Sequence, residues 1–114
     1  MVIYEVNLSI DNEIFGEYKA WLDPHIVEML ELPGFLNATV LDQTMDGSSE
    51  DLQKHLTIQY QLESANDLQS NFDEHAASMR GDGVNRFEGR FSATRRIFEV
   101  KETIEAKKYA KHVF

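Results

Sequence analysis

Two short stretches of strict alternation limit what this chain can fold into. In residues 2–10 (VIYEVNLSI) the side chains of Val2, Tyr4, Val6, Leu8 and Ile10 fall on one side, with Ile3, Glu5, Asn7 and Ser9 on the other. Residues 55–63 (HLTIQYQLE) repeat the pattern, with Leu56, Ile58, Tyr60 and Leu62 against His55, Thr57, Gln59 and Gln61. A period of two is the signature of a strand with one apolar face. Two such strands in one chain call for a sheet with a covering layer on one side.

The covering layer is legible in the segments that follow each strand. After the first, Ile14, Phe15, Tyr18, Trp21, Leu22, Ile26 and Met29 recur at helical spacing. Asp11 and Asn12 stand as cap residues, and Glu13 and Glu17 sit where the helix dipole favours anions. Pro24 removes a backbone donor and disfavours helical geometry at Asp23, which predicts a kink or a fresh start with Asp23 as cap. After the second strand, Ser64-Ala65-Asn66-Asp67 resembles a capping box. It opens a helix with Leu68, Phe72, Ala76 and Met79 inward, stopped by Gly81 and Gly83. Residues 35–42 (FLNATVLD) and 91–100 (FSATRRIFEV) read as two further strands, and 43–51, with Asp46-Gly47, as a long hairpin loop. The parity of the last strand is open, because Arg95 and Arg96 place one arginine on each face.

Strand, helix, strand, strand, helix, strand is βαβ twice. Its simplest compact form is α+β and ferredoxin-like, an antiparallel sheet with two helices on one face. This gives one domain over residues 1–100. Residues 101–114 follow as a short amphipathic helix or a tail, with Ala106, Tyr109, Ala110 and Val113 at helical spacing. The other sheet face (Glu5, Asn7, Ser9, Thr57, Gln59, Gln61 and Arg96) is polar but carries few charges. A solvated face usually holds more Lys and Glu. The expectation is a homodimer formed through that face, with Glu5 and Arg96 fixing register.

Composition excludes several function classes. The chain has no cysteine, hence no disulfide, thiolate nucleophile or Cys-bound zinc. Residues 1–53 hold eleven acids and one lysine, within a net charge of -9, which disfavours nucleic acid and anionic membranes as partners. No signal-type leader and no apolar run of about 20 residues is present, so a cytoplasmic protein is expected. Zinc-protease, phosphate-loop and nucleophile-elbow motifs are absent. His25 and Glu28 stand one helical turn apart, but two ligands do not make a metal site. No cofactor is implied. All five arginines fall between Arg80 and Arg96, in a segment of charge +3. They either bind an anionic molecule or neutralise some of the twenty acids.

The stretches VIYEVNL, AWLDPHIVEMLELPGF, EHAASMRGDG and RFEGRFSATRRIFE together resemble a small bacterial family known only as a domain of unknown function. The resemblance spans residues 2–99, and its closing run is the most specific part. It implies the dimeric α+β barrel, in which two ferredoxin-like sheets pack face to face. Relatives of that architecture include cofactor-independent monooxygenases of antibiotic biosynthesis, haem-degrading monooxygenases and small isomerases. Fold alone does not carry activity among them. The haem-degrading relatives use an Asn on the first strand, a Trp on the third and a His on the second helix. Asn7 and His75 stand in similar places here, but the third strand offers Tyr60, and the parity of Asn7 turns it away from the helices. Haem is therefore not carried over.

The candidate site lies between helices and sheet. His25 falls among Tyr18, Trp21, Leu22 and Met29, and His75 falls between Phe72 and Met79 on the inward stripe of the second helix. Both are candidate bases near neutral pH. Tyr18, Trp21, Phe72 and Arg95 are the candidate ligand-binding residues. The leading functional expectation is a homodimeric domain that binds a small molecule in this layer. The alternatives are a cofactor-independent oxygenase or isomerase on a small aromatic or anionic substrate, and a structural or protein-partner domain.

Overall fold

A computed structural model describes residues 1–43 and 52–107. The elements are β1 (Val2–Asp11), a 3-10 turn (Asn12–Ile14), α1 (Phe15–Met29), β2 (Phe35–Asp42), β3 (Gln53–Leu62), α2 (Ala65–Arg80), α3 (Gly83–Arg86) and β4 (Phe91–Glu99). The four strands form one antiparallel sheet in the order β2-β3-β1-β4. This is the ferredoxin-like α+β arrangement, with the apolar faces of both alternating strands turned toward the helices. β2 and β3 pair as a hairpin, while residues 44–51 of its loop lie outside the described residues.

The core follows from the period of two. Val2, Tyr4, Leu8 and Ile10 of β1 and Leu56, Ile58, Tyr60 and Leu62 of β3 are buried, matched by Tyr18, Leu22, Ile26 and Met29 of α1 and Leu68 and Met79 of α2. Each such side chain, fully removed from water, contributes on the order of 1.5–3 kcal/mol to folding before entropy is charged against it. Register across the sheet is fixed by matched pairs. Tyr4 lies opposite Tyr60, and Glu5 lies between Gln59 on β3 and Arg96 on β4. This settles the parity of β4. Arg96 shares the open face with Glu5, and Arg95, opposite Val6, shares the helix-covered face.

Helix α1 departs from expectation at both ends of its first half. It runs unbroken through Pro24, with no fresh start at Asp23. A proline costs a helix one hydrogen bond to the preceding turn. Here the buried stripe Tyr18, Leu22, His25, Ile26 and Met29 continues on both sides of Pro24 and keeps the helix continuous. Asp11 does not cap the helix either. It is the last residue of β1, and its carboxylate accepts from Gln53 Nε2 at 3.1 Å and Arg90 Nε at 3.0 Å. These bonds hold its carboxyl below the usual carboxylate range, the Gln53 bond first and the Arg90 bond second.

The cap of α2 is as the sequence predicts: Ser64 Oγ accepts from Asp67 N at 3.1 Å. The helix bends at His75, where φ -129° and ψ 22° leave helical geometry, and it ends at Gly81 with φ 63°. The single turn α3 was not anticipated. Residues 101–107 form no regular secondary structure, and the remainder of the expected C-terminal helix lies outside the described residues. Among the described residues no helix is long and apolar enough to cross a membrane.

The candidate cleft between helices and sheet

β1, β3 and β4 lay a floor of Tyr4, Val6, Ile58, Tyr60, Phe91 and Ala93 under a small cavity of about 50 Å³. Tyr18, Trp21 and His25 of α1 and Met79 of α2 roof it. That volume has room for water and is well below the roughly 150 Å³ in which a protein cavity holds benzene. Two open grooves share its walls. One, of about 230 Å³, is bounded by Tyr4, Phe72, Ala76, Met79, Arg80 and Arg95. The other, of about 330 Å³, is bounded by Trp21, Pro24, His25, Glu28, Gly81 and Asp82.

The roof is built by aromatic packing around Trp21. Its indole stacks on His25 with centroids 4.8 Å apart and planes at 15°, and it meets Tyr18 edge-on at 5.5 Å. Tyr18 in turn contacts Phe87 and Phe91, each at 5.1 Å. The Arg80-Gly81-Asp82-Gly83 turn closes over this cluster. Asp82 accepts from Trp21 Nε1, and the Gly83 backbone lies so near the indole that a Cβ there would sit 2.5 Å from a ring carbon. Glycine is required at this position by that close approach. Residues 80–83 thus form a helix-ending turn fitted to Trp21.

His25 is buried, and its Nε2 lies 3.0 Å from the Met79 carbonyl. A carbonyl only accepts, so Nε2 carries the proton and donates, leaving the lone pair on Nδ1. A Cβ on Gly81 would stand 2.9 Å from that Nδ1, so the glycine backbone covers this edge of the ring. Burial pushes the imidazole below its ordinary pKa, against the raising effects of the Met79 bond, Glu28 and Asp82. It is neutral at pH 7 and ties α1 to the end of α2.

Tyr18 and Tyr60 are also neutral. Burial pushes Tyr18 up to about 12, with the charge of Arg95 pulling the other way. Burial likewise raises Tyr60, with Tyr4 and Tyr18 adding to it. Arg95 Nε donates to the Tyr4 phenol oxygen at 3.0 Å. Polar tips therefore converge on an otherwise apolar layer.

The structure brings Tyr18, Trp21, His25 and Arg95 together around the cavity and places Phe72 beside Arg95 in the adjoining groove. It does not bring in His75. The bend in α2 leaves that side chain 36% exposed, outside the cavity and both grooves, with Nε2 3.9 Å from Glu74. The inward placement expected from an ideal helical period is corrected by that bend. Sequence reasoning missed Tyr4, Tyr60, Met79 and Arg80 as lining residues. The two tyrosines were visible on the apolar faces of their strands, where a hydroxyl demands a partner or a cavity.

The residues do not fit a haem. Asn7 lies on the opposite sheet face, donating to Glu5 at 3.0 Å and accepting from Thr57 at 2.7 Å, and His75 is outside the cleft. Among the described residues no group of three or more His, Asp or Glu could hold a metal.

The open sheet face is tied together by side chains across all four strands. Glu5, only 3% exposed, accepts from Gln59 at 2.9 Å, Asn7 at 3.0 Å and Arg96 Nε at 2.7 Å. The Gln59 bond, then the Asn7 bond, then Arg96 hold its carboxyl below the usual range against burial. Asn37 donates to Gln61 at 2.7 Å, and Ser9 and His55 lie 2.9 Å apart. At its margins Leu41 and Phe98 remain 43% and 40% exposed.

Solved structures of like shape carry this same fold. A variant of SnoaB, a cofactor-independent oxygenase from Streptomyces nogalater, superposes with TM-score 0.65 at 10% identity, over 92% of this chain and 98% of that one. A protein from Nitrosomonas europaea, provisionally assigned as an antibiotic biosynthesis monooxygenase, gives 0.63 at 14% identity over 90% and 100%. A dimeric ferredoxin-like protein from an uncultured marine organism gives 0.60 at 9% identity over 93% and 100%. At such identities the likeness is one of fold. No curated protein sequence matches the chain. A family profile matches residues 1–101, and the chain belongs to that family, described as Domain of unknown function (DUF4286).

Proposed function

We propose that the protein works as a homodimer joined through its open sheet face, each subunit binding a small molecule in the cleft between helices and sheet. The observation that carries the binding role is the cleft itself, an aromatic layer into which Tyr4, Arg95 and His25 bring polar atoms beside two open grooves. Convergent polar groups in an apolar concavity are the usual make-up of a small-molecule site. The dimer is supported by the hydrogen-bonded open face with its apolar margins at Leu41 and Phe98, and by the dimeric ferredoxin-like protein of similar fold. Light scattering at micromolar concentration is expected to give twice the chain mass of 13.1 kDa. A mass of one chain rejects the dimer. Thermal shift against aromatic and anionic metabolites is expected to find a stabiliser, and silence across the panel rejects the binding role.

One observation favours a second reading, an oxygenase or isomerase with His25 as base: the ring is neutral and lines the cleft. With Nε2–H donated to the Met79 carbonyl, the accepting lone pair is on Nδ1, so this reading requires the Gly81 backbone to move off that edge during turnover. Dioxygen uptake with an aromatic substrate, abolished by His25→Gln, would establish it; turnover that survives the substitution discards it.

A further inference from the structure

We infer that the cleft accepts a single-ring aromatic carboxylate, its charge held between Arg80 and Arg95; this rests on the reading of the cleft as a small-molecule site. The starting point is charge. Twenty Asp and Glu face eleven Lys and Arg in this chain, so a guanidinium has carboxylates in plenty to meet. Arg90 takes Asp11 and Glu13, each at 3.0 Å, and Arg96 takes Glu5 at 2.6 Å. Arg86 lies over the Phe87 ring at 4.9 Å. Arg80 and Arg95 are different: among the described residues neither forms an ion pair, yet both line the cavity and the same groove. Arg95 spends Nε on the Tyr4 phenol, and its two terminal nitrogens have no protein partner among the described residues. Two like charges sharing a groove repel, so an anion placed between them gains from both. Planar guanidinium groups match a carboxylate's two oxygens.

The walls and the volume specify the rest of the ligand. Phe72 and Tyr4 meet edge-on at 5.5 Å beside the arginines and offer a ring an aromatic surface. The groove's 230 Å³ exceeds the roughly 150 Å³ in which a protein cavity holds benzene, and falls short of the roughly 300 Å³ where drug-sized sites begin. One ring fits within it. Met79 borders both spaces, and its flexible thioether can yield so that the ring reaches toward the inner cavity.

The test is isothermal titration of the full chain with benzoate, benzamide, acetate and inorganic phosphate, on wild type, Arg95→Gln and Arg80→Gln. Benzoate is expected to bind, with benzamide, acetate and phosphate at least about tenfold weaker. Each glutamine variant is expected to lose about tenfold for benzoate and nothing for benzamide. Arg95→Lys, which keeps the charge without the fork, is expected to fall between and guards against a glutamine variant that misfolds. Benzamide binding as well as benzoate, or unchanged benzoate affinity in the glutamine and lysine variants, overturns the anion clamp while leaving the cleft as a binding site. Acetate or phosphate matching benzoate overturns the aromatic part. Silence from benzoate and benzamide alike overturns this inference, while the small-molecule reading falls only if the wider metabolite panel is silent too.

Discussion

Replacing Glu5 with glutamine probes the open sheet face most directly. The residue is 3% exposed, and its carboxylate accepts three side-chain bonds, one on Oε1 from Gln59 and two on Oε2 from Asn7 and Arg96. Glutamine keeps the shape but removes the charge, and it presents an NH2 group to one of those donors. Gln59 can turn its own amide to answer this, so the main loss is the charge assistance of the bonds at Oε2. A hydrogen bond to a charged group contributes about 1.5–3 kcal/mol. The Arg96 side chain is 63% exposed, which places its share at the low end. Glu5→Gln is therefore expected to lower stability by about 2 kcal/mol at pH 7, a drop in Tm of several degrees for a domain of this size.

The pH dependence gives the sharper readout. The folded pKa of Glu5 lies below its ordinary 4.5. Its contribution is thus complete above about pH 4.5 and is lost as the pH falls through the folded value. The gap between wild type and Glu5→Gln should be widest at neutral pH and close as the solution is acidified below 4.5. Urea melts followed by far-ultraviolet circular dichroism, at one fixed protein concentration, measure it. Arg96→Met completes a double-mutant cycle. A gap that stays constant from pH 7 to pH 3, or a coupling energy within about 0.5 kcal/mol of zero, would show that Glu5 is not held ionised by these partners.

Two other substitutions test the cleft. Gly83→Ala drives a methyl to within 2.5 Å of the Trp21 ring, and overpacking of this kind costs about 1–3 kcal/mol; a thermal melt no different from wild type would mean the α3 turn is free to shift away. His25 has a folded pKa depressed by burial, so its stabilising effect is present above its ordinary 6.5 and is lost as the pH falls through the folded value. Urea melts of wild type should weaken on that acid limb, and His25→Leu should lack this component; identical slopes in the two proteins would place the titration elsewhere.

Most of the fold was legible because burial on one face of a strand leaves a period that no other force imitates. Residues 2–10 and 55–63 announced both central strands, whereas Glu5 and Arg96, expected to fix register between two subunits, pair within one chain because β4 lies beside β1. What failed were inferences from single residues. Pro24 read as a breaker, yet packing along the Tyr18 to Met29 stripe outweighs one missing hydrogen bond. Asp11 read as a cap, yet Arg90, 79 residues distant in sequence, claims its carboxylate. His75 read as inward because an ideal period was assumed, and no sequence signal marks the bend that turns it out. The cleft was half legible. The α1 residues Tyr18, Trp21 and His25 follow from helical spacing, whereas Arg80 joins them only through the turn that brings the end of α2 over the sheet.

The chain holds one tryptophan, and that indole sits in the cleft roof, bonded to Asp82 and stacked on His25. Its native emission therefore comes from a single address. A proton arriving on the stacked imidazole, or a guest entering the cavity that the indole lines, alters the surroundings of that one fluorophore. The protein carries its own optical gauge of the cleft, and wavelength shifts can be read without any label.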